Sequence, residues 1–159
     1  MELSRNKLIS IIICIFNDFD LDTNKHSIPT MTTKIKFELE YLLKVSLKVL
    51  ENSVSTPAGL SEWFADNVNI KDDIYTFFWD SSEEKARVKS KKASAHIRFK
   101  WLKDEEENED VFFEFNYSID PLTKSLVFKV IDFADEEDLK ESKHLWDTQI
   151  QELKRHLGA

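Results

Sequence analysis

Asp132 is the carboxyl group in this sequence whose neighbours best suit it to acid–base chemistry. It lies in the stretch Val130-Ile-Asp-Phe133, with apolar residues on both sides. Burial among apolar side chains disfavours the charged form of a carboxyl group and raises its pKa, which is how a general acid is tuned. A lone carboxylate without a partner base makes a poor active site. We therefore expect Asp132 to end a strand and to accept hydrogen bonds from backbone amides.

The histidines do not form a pattern that would bind a metal. The sequence has four of them, scattered along the chain: His26, His96, His144 and His156. Metal sites need convergent ligands, so we expect surface positions for all of them. His96 shares a strand with Arg98, but alternation places it opposite the apolar residues of that strand, facing solvent. With only two glycines, the chain also has no glycine-rich phosphate loop. We predict no metal, no cofactor and no enzymatic activity.

Two charged clusters are interaction candidates. Basic residues occupy the outward positions of two neighbouring predicted strands: Lys85, Arg87, Lys89, Lys91, Lys92, Arg98 and Lys100. This basic strand face could dock an acidic protein or anionic headgroups, although cross-strand pairing with Glu114 and the nearby acidic loop is the simpler account. The acidic run over residues 104–110 is expected to be a solvated hairpin tip.

Length and composition indicate one globular domain. The chain has 159 residues, of which 42% are hydrophobic, and it includes 12 Phe and 4 Trp. A formal charge of −8 disfavours a nucleic-acid partner, because binding phosphates needs positive surface. The single cysteine, Cys14, excludes an intramolecular disulfide and suits a reducing compartment. We therefore expect a cytoplasmic protein.

Residues 1–30 differ from the rest of the chain. The apolar run Leu8–Phe16 is too short to span a bilayer, which needs about 20 apolar residues, so we expect no integral membrane segment. We expect residues 1–30 to be a weakly structured extension, or to precede the natural start at Met31. An extra edge strand over residues 11–15 is the alternative. The folded domain is then 31–159.

Alternating patterns predict the strands that carry these residues. Residues 34–45 alternate apolar and charged positions, which is typical of a half-buried strand. Further alternating segments cover residues 73–79, 85–91, 95–101, 111–117 and 125–131. Their connections have hairpin length and contain no crossover helix, so the sheet should be antiparallel. The fold class is α+β.

Helices are predicted at both ends of this sheet region. A short helix or turn is expected near residues 47–54. Thr56 then caps a helix with Pro57 at its first position, and this helix carries Trp63 and Phe64 towards Asp66. A long helix should begin after Asp135 as its cap and end at Gly158, with an apolar stripe that includes Trp146.

The chain resembles the START-like, helix-grip superfamily, in the branch related to the activator of the large heat-shock chaperone's ATPase. The resemblance covers roughly residues 34–158. Its most specific pieces are Gly59–Asp66, Asp132–Asp135 and Leu145–Asp147. It implies a curved sheet wrapped around the last helix, with two short helices after the first strand. In relatives, an apolar cavity between sheet and helix holds lipids, sterols or polyketides, whereas other relatives bind a chaperone.

The resemblance implies ligand-binding residues along the inner sheet face and the helices. The predicted lining residues are Phe37, Tyr41, Trp63, Phe78, Phe99, Trp101, Phe113, Phe115, Phe128 and Trp146. Aromatic side chains line such pockets, but they also fill closed cores. Three functions stay open. The first is a noncatalytic module that binds an apolar small molecule or lipid. The second is a co-chaperone-like protein-interaction module with a packed core, and the third is an enzyme.

Overall fold

The computed structural model describes residues 34–80, 82–106 and 110–159. Our expectations for residues 1–30 lie outside this part of the chain. In chain order the elements are β1 (Ile35–Leu43), α1 (Leu47–Ser55), α2 (Pro57–Leu60), β2 (Asn67–Lys71), β3 (Ile74–Trp79), β4 (Ser82–Lys92), β5 (His96–Trp101), α3 (Leu102–Glu106), β6 (Phe113–Ile119), β7 (Leu126–Ala134) and α4 (Leu139–Leu157).

The strands form one curved, open antiparallel sheet, which confirms the predicted α+β helix-grip fold. The seven-stranded sheet has the order β1-β7-β6-β5-β4-β3-β2, so β1 and β2 form its two edges. Every neighbouring pair is antiparallel. The long helix α4 packs on the concave side, against β7 and β1. Apolar side chains from every strand therefore share one interior.

Strand β1 follows the predicted alternation but is shorter than expected. Phe37 and Leu43 are buried, while Leu42 on the other face is exposed. The register with β7 runs from Ile35 opposite Ala134 to Leu43 opposite Leu126. The predicted extension to residue 45 is wrong, because Ser46 caps α1 and accepts a hydrogen bond from the amide of Val49. The chain has to leave the sheet before that cap.

The predicted cap of the second helix is confirmed, but its predicted length is wrong. Thr56 accepts a hydrogen bond from the amide of Gly59 at 3.0 Å, and proline occupies the first turn. Helix α2 ends at Leu60, and turns lead on to β2. Because the chain turns there, the consecutive residues Trp63, Phe64 and Ala65 are all buried, which one face of a continued helix could not achieve.

Strand β2 was not separated from β3 in the sequence. The two strands form a tight hairpin in which Lys71 pairs with Ile74. Asp72 in the turn has φ 59°, a left-handed conformation that aspartate tolerates better than most residues. The burial pattern of β2 does not alternate, because only Val68 of its five residues is buried. This short strand therefore carries a weak sequence pattern.

The described part of the acidic run begins in a helix and not in the solvated hairpin tip that we expected. Residues 102–106 form the short helix α3 directly after β5, and residues 107–109 lie outside the description. Asp104 is only 5% exposed and pairs with Lys34 at 3.9 Å. The lysine at the start of β1 supplies the opposite charge that allows this carboxylate to be buried.

Helix α4 begins later than predicted and ends as predicted. The residue before its first turn is Asp138, whose side chain makes no capping hydrogen bond, so the prediction of Asp135 as the cap is wrong. The backbone carbonyl of Asp135 instead accepts from the amide of Asp138, forming a turn between β7 and α4. Gly158 ends the helix with φ 66°, the left-handed conformation favoured for glycine at this position.

Candidate ligand-binding site

The structure brings most of the predicted lining residues together between the sheet and α4. Phe37, Trp63, Phe99, Phe113, Phe115, Phe128 and Trp146 all belong to one buried cluster, and Trp101 and Tyr41 are half-buried against it. Phe78 lies on the other face of β3, because burial alternates along this strand and Tyr75, Phe77 and Trp79 face inward. Phe77 occupies the inward position that we had assigned to Phe78.

The buried rings contact one another directly. Phe99 stacks on Phe113 with ring centroids 4.9 Å apart, and Trp101 lies 4.9 Å from Phe113. Phe64 contacts Trp63, Phe77 and other rings at 5.2 to 6.3 Å. Stacked and edge-on pairs at these distances are favourable contacts. This part of the interior is therefore filled by its own side chains.

Trp146 is the ring that α4 contributes to this cluster. Its indole lies parallel to Phe64 at a centroid distance of 6.0 Å and meets Phe115 edge-on at 5.8 Å. Among the other predicted lining residues, it also lies 6.5 Å from Phe113. At 9% exposure, Trp146 is at the margin of the cluster rather than at its centre. It closes the aromatic cluster on the helix side.

The indole N–H groups of the buried tryptophans are held in two different ways. The indole N–H groups of Trp63 and Trp79 donate to the backbone carbonyls of Ser53 and Phe64, each at 2.9 Å. Trp146 instead donates to a carboxylate oxygen, Oδ2 of Asp132, at 2.8 Å. A backbone carbonyl is a hydrogen-bond acceptor at every pH, whereas a carboxyl group changes its charge when it titrates. The contact that joins α4 to the sheet therefore includes a titratable group.

Asp132 occupies an inward position near the end of β7. Its neighbour across the sheet is Phe37 of β1, and its Oδ1 accepts from the backbone amide of Phe133 at 2.8 Å. We expected it to end a strand and bond backbone amides. The structure confirms a backbone bond, but places Asp132 within the strand and adds the indole of Trp146, which the sequence did not reveal.

Burial raises the pKa of Asp132 to about 7. The hydrogen bonds from Trp146 and Phe133 act in the opposite direction, because they stabilise the carboxylate. The charge of Asp104 raises the pKa further, and Lys34 lowers it. Near neutral pH this carboxyl group therefore exists in both forms, and it can donate a hydrogen bond when protonated or accept two when ionised.

A second polar link joins α4 to β1. The hydroxyl of Tyr41 donates to Oδ1 of Asp147 at 2.7 Å. Desolvation and this carboxylate raise the pKa of Tyr41 well above its ordinary value, so the phenol stays protonated. Trp146 and Asp147 are adjacent in the helix, and each binds a different strand of the sheet. These two contacts fix the helix over the inner face of β1 and β7.

The basic strand face is neutralised largely as the simpler account predicted. Arg87 and Lys89 on β4 both pair with Glu105 of α3, at 3.2 and 3.1 Å. Arg98 on β5 pairs with Glu114 on the neighbouring strand β6. His96, expected to face solvent, is half-buried and forms a hydrogen bond with Ser90 at 2.7 Å. Within residues 34–80, 82–106 and 110–159, no three His, Cys, Asp or Glu side chains converge to hold a metal ion.

The site pairings that sequence reasoning missed join residues far apart in the chain. Lys34 meets Asp104, and Trp146 meets Asp132, across different elements. Local spacing carries no signal for such pairs. The isolated charge between apolar residues at Asp132 was the available sign, and it correctly drew attention to that position.

Comparison with known proteins identifies the family. Residues 31–159 match the START-like superfamily domain. The chain belongs to the START-like superfamily. A protein of known structure from Bacteroides fragilis is 38% identical over 77% of this chain and 90% of its own, with a TM-score of 0.58. No curated protein matches the chain.

More distant structures share the START-like fold. The Aha1 dimer from Colwellia psychrerythraea has a TM-score of 0.66 at 11% identity, covering 77% of this chain and 96% of its own. A protein from Bacillus halodurans has a TM-score of 0.61 at 11% identity, covering 79% of this chain and 99% of its own. In the described part of this START-like chain, no helix has the length and apolar character needed to cross a membrane.

Proposed function

We propose that this START-like domain is a noncatalytic binding module for an apolar small molecule or lipid, held between the inner sheet face and α4. The observation that carries the proposal is the hydrogen bond between Trp146 and Asp132. It places one titratable polar group beside a large apolar surface. Binding sites for small molecules combine an apolar lining with a few polar groups that fix orientation.

The ring contacts indicate where such a molecule would enter. The rings carried by the strands pack on one another within the sheet, whereas Trp146 reaches the cluster from α4. A movement of this one side chain exposes the faces of Phe64 and Phe115 without separating strands. The apolar body of the ligand would replace the indole on those faces, and its polar end would take the hydrogen bond at Asp132.

Tryptophan fluorescence and native mass spectrometry test this proposal together. Freshly purified protein is examined for a bound mass, and it is then titrated with fatty acids and sterols while indole emission is recorded. We expect a saturable spectral change, because ligand entry displaces Trp146. Asp132→Asn should weaken binding about tenfold or more, since hydrogen bonds to charged groups contribute about 1.5–3 kcal/mol.

The matched control is Asp120→Asn, which changes an aspartate in the β6–β7 turn, at the opposite end of β7 from Asp132. It should bind as the unchanged protein does. Absence of any bound mass and of any spectral change across both ligand classes would refute the proposal. The protein-interaction module would then be the better account of the packed aromatic core.

A further inference from the structure

The end of the sheet away from Asp132 carries exposed apolar side chains surrounded by lysines. Leu122 in the β6–β7 turn is 90% exposed, Leu42 on β1 is 63% exposed and Ile119 at the end of β6 is 44% exposed. The register places them at the same end of the sheet, because Leu126 pairs with both Leu43 and Ile119, although Leu42 follows the outward positions of β1 and Ile119 the inward positions of β6. Single exposed apolar side chains are common, whereas a group of them at one place, rimmed by polar residues, marks an interaction site.

The turn that carries Leu122 is ordered by its own hydrogen bonds. Oδ1 of Asp120 accepts from the amides of Leu122 and Thr123, at 2.9 and 2.7 Å. The backbone amide of Lys124 also donates to the carbonyl of Asp120 at 2.9 Å, which closes the turn. The bonds from Thr123 and Leu122 to the carboxylate lower the pKa of Asp120, so its carboxylate holds the turn in place at neutral pH. Leu122 is thus presented by a defined loop.

Exposed lysines come from every segment at this end, namely Lys44 after β1, Lys48 in α1, Lys91 and Lys92 at the end of β4, and Lys124 in the β6–β7 turn. The β4–β5 turn is joined to the same end, because the amide of Tyr117 on β6 donates to the carbonyl of Ala95. Helix α1 is joined to it through Glu51, which accepts from the amide of Ser94 at 2.7 Å.

Two acidic side chains at this end, Glu51 and Asp120, already form hydrogen bonds within the fold. Glu51 is buried and lies 3.7 Å from Lys48 as well as bonding Ser94. Asp120 bonds its own turn. The chain as a whole has a formal charge of −8, so a lysine-rich end opposes the overall charge. Local positive charge around projecting leucine side chains is complementary to an anionic lipid surface.

We propose that this lysine-rimmed tip, formed by Leu42, Ile119, Leu122 and the surrounding lysines, docks on membranes that contain anionic lipids. Leu122 inserts among the acyl chains near the headgroups, and the lysines contact the headgroup charges. The surface lies at the opposite end of β7 from Asp132, so it is separate from the proposed ligand site. If the domain binds an apolar molecule as proposed above, contact with a membrane gives it access to the lipid phase in which such molecules dissolve.

Vesicle sedimentation of the full chain tests the proposal. Vesicles of phosphatidylcholine with about 30% phosphatidylglycerol are compared with vesicles of phosphatidylcholine alone, at low and at physiological salt. We expect binding to the anionic vesicles that weakens with salt. Lys91→Ala and Lys92→Ala should each weaken it about fivefold, and Leu122→Ser about tenfold or more.

Matched controls lie elsewhere on the surface. Lys140→Ala changes an exposed lysine in the first turn of α4, and Ile70→Ser changes an exposed apolar side chain on the far edge strand. Both should leave vesicle binding unchanged, as should Asp132→Asn in the separate ligand site. Equal binding to neutral vesicles, no binding to anionic ones, or full binding by Leu122→Ser would overturn the proposal. Binding to polyglutamate without binding to vesicles would also overturn it, in favour of an acidic protein partner.

Discussion

Replacing Asp132 by asparagine should change how the stability of the domain depends on pH. The folded-state pKa of this carboxyl group is raised from 3.8 to about 7, so the folded protein holds its proton over a range in which the unfolded chain has lost it. Stability therefore falls as pH rises through this window. Between pH ~4.5 and pH ~7 the loss amounts to about 3 kcal/mol, at about 1.4 kcal/mol per pH unit.

The variant lacks this titration, while it retains an oxygen that can accept from Trp146. Asparagine has one acceptor oxygen, so it cannot replace both the bond from Trp146 and the bond from the amide of Phe133. The loss of one of these bonds should lower the free energy of unfolding of the variant by about 1 kcal/mol at every pH. The difference in unfolding free energy between the two proteins should consequently move by about 3 kcal/mol in favour of the variant from acidic to neutral pH.

Urea unfolding followed by tryptophan fluorescence measures this difference at a series of pH values. Asp120→Asn is the control, because the pKa of Asp120 is lowered from 3.8 and its stabilising effect is lost only below that pH, so this variant should run parallel to the unchanged protein above pH ~4.5. Parallel stability curves for Asp132→Asn and the unchanged protein between pH ~4.5 and pH ~8 would show that Asp132 is not buried in the protonated form. The reasoning about its environment would then be wrong.

Three further predictions concern packing. Trp146→Ala should lower the free energy of unfolding by about 3–5 kcal/mol in urea, and a loss below about 1 kcal/mol would show that its ring contacts matter little. Gly59→Ala should lower the free energy of unfolding by about 1–3 kcal/mol, because the new Cβ would lie 2.2 Å from the carbonyl oxygen of Asn52. The control is Gly158→Ala, whose Cβ would meet no atom within 4 Å, so this variant should lose stability only through its left-handed backbone conformation. A chain that begins at Met31 should melt within a few degrees of the full chain, and failure to fold would make residues 1–30 structural.

The fold could be predicted because its signals are local. Alternation identified β1 and the strands from β3 onwards, and Thr56 with Pro57 identified the start of α2. Predictions from local sequence were wrong where tertiary contacts determine the backbone conformation. Helix α2 ends at Leu60 because three consecutive residues after it enter the core, and α3 forms where Lys34 neutralises Asp104.

The candidate site was predicted only in part, for the same reason. Inward aromatic residues follow from strand parity, which placed Phe99, Phe113 and Phe115 correctly but misplaced Phe78 by one position. A shift of one residue moves a side chain to the other face of a sheet, so parity is only as good as the assumed register. The partner of Asp132 depends on how α4 lies across β7, which no short segment of sequence encodes.

The pairing of β1 with β7 has a consequence for how this chain folds. The first described strand pairs with the last, with Ile35 opposite Ala134, while each strand from β2 to β7 pairs with the strand next to it in the chain, mostly as hairpins. Hairpins close quickly, whereas contacts between distant parts of a chain require a large loss of loop entropy before they form. During synthesis β1 would emerge first and wait unpaired until β7 leaves the ribosome. Its outward Lys36, Glu38 and Glu40 then keep the open edge from pairing with other chains.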